Sequence, residues 1–293
     1  MFTYDIFNLI IKSDVEIPIF KKSNIPTKKF DISVKYFSDN LRIFNFDQKK
    51  IFFSKGDIFY EDRYGTKFII SHKSINKPVE VLIHSKNYEI KNIWESFISI
   101  PLGYALSVKG FDVVHGSAVS IGKSAACIFG FSGQGKSTLA LSLLDKGFKF
   151  LTEDLCVLNN NKIYPFNSWI KTTDKLIKDL DIKIESKKKL QKDSRSRNFF
   201  RIPKKNLSEK CNPKIAYFLA KDEKKSIKKL SKSEAFEFLF SHFYRFDNKK
   251  SSDLQRITNT LESLNFYIYK RDINAPIEEN SEYLSNHIKR LIG

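Results

Sequence analysis

Gly130-Phe131-Ser132-Gly133-Gln134-Gly135-Lys136-Ser137-Thr138 is the stretch on which the reading of this chain turns. A glycine, four free positions and then Gly-Lys-Ser make the complete pattern of a phosphate-binding loop. Each residue type has a physical task in it. The glycines let the backbone curl so that successive N–H groups converge on phosphate oxygens. The Lys136 amine is placed to reach the β- and γ-phosphates, and the Ser137 hydroxyl suits Mg²⁺. A chance Gly-rich turn would need no particular flanks, whereas these flanks are specific. Ala125-Ala126-Cys127-Ile128-Phe129 is a short apolar run of strand type. From Lys136 to Lys146, Leu139, Ala140, Leu143 and Leu144 recur at helical spacing, and Gly147 follows as a stop. Strand, loop and helix is the context the motif requires, because a helix N-terminus offers unpaired N–H groups and a positive dipole end. A nucleotide phosphate with Mg²⁺ is the expected ligand of residues 130–138.

Composition sets the frame around this motif. The 293 residues, 41% hydrophobic with 27 Phe, are enough for a sizeable core, so disorder over most of the chain is excluded. Cys127, Cys156 and Cys211 are odd in number and far apart, which fits neither a disulfide framework nor a C-x-x-C metal pair. The N-terminus lacks the pattern of a signal peptide. The longest weakly charged stretch, Ser96 to Val108, contains Pro101 and Gly103 and is too short to span a bilayer. A reduced, cytoplasmic protein without a membrane span is expected. The net charge is +18, and counting residues places +13 of it in 171–232. That segment reads first as a solvated lysine-rich face and second as a docking surface for an acidic partner. It carries no signature of a nucleic-acid module.

Along the chain, residues 1 to about 90 alternate short β-type runs with turn clusters. The candidate strands are 17–20, 30–37, 41–46, 50–53, 58–60, 67–70 and 79–83, and breaks such as Asp47-Gln48 and Tyr64-Gly65-Thr66 separate them. The expectation is an antiparallel β-rich module over 1–92, followed by a second domain over 93–293. Ile93 to Val108 reads as a helix kinked at Pro101. Strands are expected at 111–121, 148–151 and 215–219, a hairpin at 155–158 and 162–166, and a late strand at 266–269. Helices are expected at 234–246, 253–264 and 277–292. Residues 171–210 read as a charged region with a Lys/Asp helix and a loop at 194–198. The fold class that follows is α/β (α+β).

Glu153-Asp154 ends the strand after the loop helix. A parallel β-α-β crossover puts the C-terminal ends of its two strands on one edge of the sheet. The loop follows the first strand and the carboxylates follow the second, so they should meet at the γ-phosphate. Phosphoryl transfer needs a Mg²⁺ ligand and a base for the acceptor hydroxyl at that place. The bland alternative is an acidic turn or helix cap. His115 precedes Gly116 on the strand beside the loop strand and is a weaker candidate for the same edge. His72, His84, His242 and His287 show no ligand spacing and read as structural.

Three segments together resemble the catalytic core of HPr kinase/phosphorylase and the wider HPr serine kinase-like proteins. They are Val114-His115-Gly116-Ser117-Ala118-Val119, the loop 130–138, and Gly147-Phe-Lys-Phe-Leu-Thr-Glu-Asp154. Counterparts of other family segments fall at 4–20, 93–109 and 162–170. The resemblance implies a P-loop kinase core of the HPr kinase and phosphoenolpyruvate carboxykinase type, with an N-terminal β-rich module. It implies transfer of the γ-phosphoryl group of ATP to a hydroxyl, typically a serine of a protein or peptide. By motif match, Asp154 is the general base, Glu153 stands where the family has the first of two aspartates, and Ser137, Glu153 and Asp154 hold Mg²⁺. Gly130, Ser132, Gly133, Gln134, Gly135, Lys136, Ser137 and Thr138 bind the nucleotide, and Lys136 and His115 join the catalytic set. The Gly-rich downstream segment of the bifunctional enzymes is missing, so dephosphorylation is expected to be absent. The N-terminal module differs from that of true HPr kinases, which points to an acceptor other than HPr. Those kinases form hexamers, so the resemblance allows a homo-oligomer.

Three other readings stay open on the residues. The same catalytic groups serve a kinase acting on a sugar or lipid hydroxyl. A nucleotide-dependent binding protein would keep Lys136 and Ser137 but not need the acidic pair. A transporter-type ATPase would use Ile215 to Leu219 as its second motif strand, with Asp222-Glu223 after it. The chain has no Leu-Ser-Gly-Gly-Gln signature, and the spacing to Asp222 reads as an exposed turn. Arg195, Arg197 and Arg201 are candidates for clamping a phosphate or an acidic acceptor.

Overall fold

A computed structural model of the chain describes residues 1–24, 29–37, 51–54, 56–62, 64–72, 76–85, 92–190, 195–244 and 251–293. Residues 1–111 form one compact unit, and residues 112–244 with 251–293 form another. The sequence division at 92/93 falls ahead of two helices that lie in the first unit.

In the first unit β1 (Phe2–Ile6), β2 (Leu9–Ser13), β3 (Ile32–Tyr36), β4 (Ile51–Ser54), β5 (Asp57–Glu61), β6 (Lys67–Ser71) and β7 (Val79–His84) make one sheet in the order β1-β2-β3-β7-β6-β5-β4. The antiparallel expectation is corrected here: β3 pairs with both β2 and β7 in parallel. The strand expected at 17–20 is a turn instead, in keeping with Pro18, while β1 and β2 take up the residues before it. The strand expected at 41–46 and the break at 47–48 lie outside the described residues. The helix expected over 93–108 is two helices, α1 (Trp94–Phe97) and α2 (Ile100–Val108), with Pro101 in the first turn of the second. A proline is tolerated there because its missing N–H would have no helical partner. Every residue of α2 from Pro101 to Val108 is buried, and the helix packs on β6 and β7.

The second unit is built on an eight-stranded sheet. Its members are β8 (Asp112–Ile121), β9 (Ser124–Phe129), β10 (Lys149–Thr152), β11 (Leu155–Asn159), β12 (Lys162–Tyr164), β16 (Asn212–Asp222), β17 (Ser226–Lys229) and β18 (Asn265–Asp272). A separate three-stranded sheet joins β13 (Trp169–Thr173), β14 (Ser186–Lys189) and β15 (Arg197–Arg201) in the order β13-β15-β14. The helices are α3 (Lys136–Ser142), α4 (Asp174–Asp179), α5 (Lys232–His242), α6 (Ser251–Ser263) and α7 (Ile277–Ile292). The architecture is therefore mixed α/β. Among the described residues, no helix is long and apolar enough to cross a membrane.

Alternation along the central strands explains the layers. Cys127 and Phe129 of β9, with Ala216 and Phe218 of β16, pack with Leu239 of α5 and Ile257 and Leu261 of α6. Ala126 and Ile128, with Tyr217 and Leu219, pack with Leu139 and Ala140 of α3 and Leu284 and Ile288 of α7. Both faces of the sheet are thus covered, which is why these strands read as unbroken apolar runs. Asn160 and Asn161 turn the β11–β12 hairpin with φ of 49° and 56°, the left-handed pair such two-residue turns need. Ser231 and Glu234 form a capping box that starts α5.

Gly116 is held by a close approach of β8 to β9. A Cβ there would stand 2.5 Å from Phe129 Cδ1 and 2.8 Å from the Ile128 carbonyl oxygen. Backbone cannot move aside cheaply, so Gly116→Ala is expected to destabilise the unit by about 1–3 kcal/mol. A lowered urea midpoint at unchanged slope checks this, and an unchanged midpoint contradicts it.

Candidate functional site

The edge of the large sheet is set by strand direction. β8 runs antiparallel to both β9 and β10, so β9 and β10 are parallel with β8 between them. The connection through α3 is therefore the β-α-β crossover that the sequence implies, spanning one intervening strand. It brings Gly130, after β9, and Glu153, after β10, to the same edge. β8 contributes His115 there, because Leu155 pairs with His115 and Phe129 with Gly116.

The loop from 130 to 135 is shaped by positive φ at Gly130 (148°), Gly133 (89°) and Gly135 (94°). Gly135 is the residue that caps α3. Lys136 is buried, and its Nζ donates to the carbonyl oxygens of Gly130 at 2.7 Å and Phe131 at 3.2 Å. Burial pulls its pKa down, against the charges of Asp154 and Glu153. The N–H of Phe131 donates to Gln134 Oε1 at 2.6 Å, so a side-chain oxygen already accepts from the loop backbone.

Ser137 Oγ donates to Glu153 Oε1 at 2.6 Å, and Glu153 Oε2 accepts from the backbone N–H of Lys171 at 2.9 Å. The Lys171 ammonium in turn donates to Asp154 Oδ2 at 3.0 Å. A continuous chain Ser137–Glu153–Lys171–Asp154 thus joins the loop helix to the acidic pair. The two carboxyls are driven apart electrically. Burial and then the neighbouring Asp154 charge raise Glu153 above its ordinary value. Burial alone would also raise Asp154, but the Lys171 ammonium, and then His115, outweigh it and hold that carboxyl well below the carboxylate range.

Asp154 has φ of 65°, a left-handed conformation that aspartate tolerates better than most residues. The turn presents its carbonyl oxygen to β8, where it accepts from Gly116 N at 3.2 Å and His115 Nδ1 at 3.0 Å. A carbonyl can only accept, so the proton sits on Nδ1 and Nε2 carries the lone pair. Burial first, and then the Lys136 charge, push the His115 pKa down to about 4, so the ring is neutral at pH 7.

The sequence-derived set Lys136, Ser137, Glu153, Asp154 and His115 is brought together at one edge. Arg195 reaches Ser132 Oγ at 3.4 Å through Nη2, while Arg201 pairs with Glu185 away from the loop. Part of the basic segment is neutralised by ion pairs, Lys187 with Asp174 inside it and Lys228 with Glu234 just beyond it. Asp222 needs correcting: β16 continues through it, and its carboxylate pairs with Lys270 at 2.9 Å instead of lying in a turn. His242 is buried, with its ring centroid 4.8 Å from that of Phe131 in the loop.

Two further residues escaped the sequence reading. Lys171 sits on β13, and that strand pairs with β15, which spans residues expected from sequence to be a charged region with a loop at 194–198. Arg271, next to last in β18, lies beside Gly135. For Arg271 a signal existed, since parallel strands deliver their C-terminal residues to the ligand edge.

No family model matches the chain, and no curated protein matches it. Among solved structures, the chain is similar to the Hpr(Ser) kinase/phosphatase from Coxiella burnetii, at 13% identity. That match covers 62% of this chain and 99% of the other, with a TM-score of 0.33.

Proposed function

We propose that this chain is an ATP-dependent kinase that passes the γ-phosphoryl group to a hydroxyl, a serine of a protein or peptide other than HPr. The observation that carries the reading is the hydrogen bond from Ser137, in the loop motif, to the first carboxyl of the acidic pair. The core is then a P-loop kinase core of the HPr kinase and phosphoenolpyruvate carboxykinase type, within the unit of residues 112–244 and 251–293.

The residues present fit Mg²⁺. Ser137 Oγ and Glu153 Oε1 are adjacent hard oxygen donors of the kind Mg²⁺ takes, and these two residues would hold the ion. Mg²⁺ there would neutralise charge developing on the phosphates. They fit a triphosphate as well. Lys136 is a buried amine bonded only to loop carbonyls among the described residues, and it can turn to phosphate oxygens.

Asp154 is the group to take the proton of the acceptor hydroxyl. Oδ2 is held by Lys171, and no described residue hydrogen-bonds Oδ1, which is left for the acceptor. The ion pair keeps the carboxylate ionised and oriented, at the cost of lower basicity. Neutral His115, by holding the Asp154 carbonyl, keeps the strained turn in place.

Lys171→Met is expected to let burial prevail and raise the Asp154 pKa. In the wild type the depressed value keeps the base ionised far into acid; in the variant the acid limb of the rate profile should move to higher pH. An unmoved acid limb would remove Lys171 from this role. The same sign applies to stability. Ionised Asp154 stabilises the fold above the ordinary carboxylate pKa, and this is lost as pH falls through the depressed folded value.

The reading as a whole is tested by incubating the full chain with γ-labelled ATP, Mg²⁺ and an extract of its own source. Label on a discrete protein supports it. Label on a small sugar or lipid makes the acceptor a small hydroxyl compound, and label released to water alone makes the protein an ATPase or a nucleotide-gated binder.

A further inference from the structure

β9, β16 and β18 run parallel, so the C-terminal end of β18 arrives at the edge from which the loop springs. Arg271 is the next-to-last residue of that strand. Its Cζ, Nε and Nη2 lie 3.4, 3.5 and 3.5 Å from the point where a Cβ on Gly135 would stand. The guanidinium therefore rests in contact with the bare glycine that precedes Lys136. Its Nε is buried and has no hydrogen-bond partner among the described residues. The carboxylates at this end of the paired strands have other partners: Asp272 Oδ1 accepts from Asn274 N at 2.8 Å, and Asp222 Oδ2 of β16 pairs with Lys270. Buried donors without an acceptor are rare and costly, and each calls for an explanation. Here a permanently charged group is held against a loop built to receive an anion, with a donor unsatisfied.

We propose that Arg271 is a second phosphate-binding cation of this site, contacting the polyphosphate of a bound nucleoside triphosphate together with Lys136. The inference rests on the nucleotide reading of the loop. Its chemistry differs from that of Lys136. A guanidinium offers a planar fork of donors that matches two phosphate oxygens at once, whereas an ammonium is a point charge. An arginine supplied within the chain would also stabilise the charge of the transferring group. This ties the far end of the chain, through β18, to the ligand bound at 130–138.

The test is calorimetric titration of the full chain with ATP and, separately, with inorganic tripolyphosphate, both with Mg²⁺. Arg271→Gln is compared with wild type, and the thermal midpoint without ligand is read on the same samples. The expected result is a loss of about ten- to a hundredfold for both ligands at an unchanged midpoint, the scale of a lost charged hydrogen bond. Wild-type affinity for both ligands, or a loss confined to ATP, overturns the assignment. If the midpoint of Arg271→Gln falls, Arg271→Lys replaces it, with a several-fold loss expected and wild-type affinity contradicting the proposal. Wild type binding neither ligand removes the nucleotide reading and this inference together. Wild type binding both while Arg271→Gln binds equally removes this inference alone.

Discussion

Asp154→Asn is expected to lower phosphoryl transfer by about 10²–10⁴-fold while leaving ATP affinity within a few-fold of wild type. The substitution keeps the volume and the shape of the side chain and removes the base. It also keeps the backbone, because asparagine accepts the left-handed conformation that Asp154 holds at φ 65°. The amide oxygen can still take the Lys171 ammonium, so Lys171 retains an acceptor. Single-turnover rates with labelled ATP read the first effect, and equilibrium binding reads the second. A variant that transferred at the wild-type rate would show that the proton goes elsewhere. A variant that lost binding in step with transfer would make Asp154 a structural or metal-holding group and not a base.

Lys136→Ala is expected to weaken ATP by about ten- to a hundredfold and to bring transfer below detection. The amine is the loop's own cation, and loss of a charged hydrogen bond to phosphate costs about 1.5–3 kcal/mol. The fold itself should tolerate the change. In the free protein Nζ bonds the carbonyl oxygens of Gly130 and Phe131, and its burial already disfavours the charged form. The two effects separate cleanly if thermal stability is measured beside binding. Binding at wild-type strength by Lys136→Ala would mean that the loop is a Gly-rich turn that meets the pattern without holding phosphate.

Much of this site is legible in the sequence because it is local. The loop motif, the apolar run before it and the helical spacing after it lie within 125–147, and local propensity decides such segments. Glu153 and Asp154 needed one topological step, the parallel crossover, and β8 inserts between the two strands without altering the edge they share. His115 followed from the same edge. What was not legible depends on long-range pairing. Lys171 reaches Asp154 from β13, and the partner strand of β13, reading Arg-Asn-Phe-Phe-Arg among lysines, does not stand out from charged coil. The parallel pairings of β3 in the first unit are equally long-range. The extension of β16 to Asp222 is not legible because the polar Lys221 and Asp222 break the apolar run, while pairing with β18 carries the strand on.

Residues 130–138 and the pair Glu153-Asp154 are proposed to form one magnesium–nucleotide site. Titration of the wild-type chain with ATP, with and without Mg²⁺, tests it most directly. One molecule of ATP per chain is expected, bound more tightly with Mg²⁺ because Ser137 and Glu153 would hold the ion. No binding up to millimolar ATP, or binding indifferent to Mg²⁺, would contradict it.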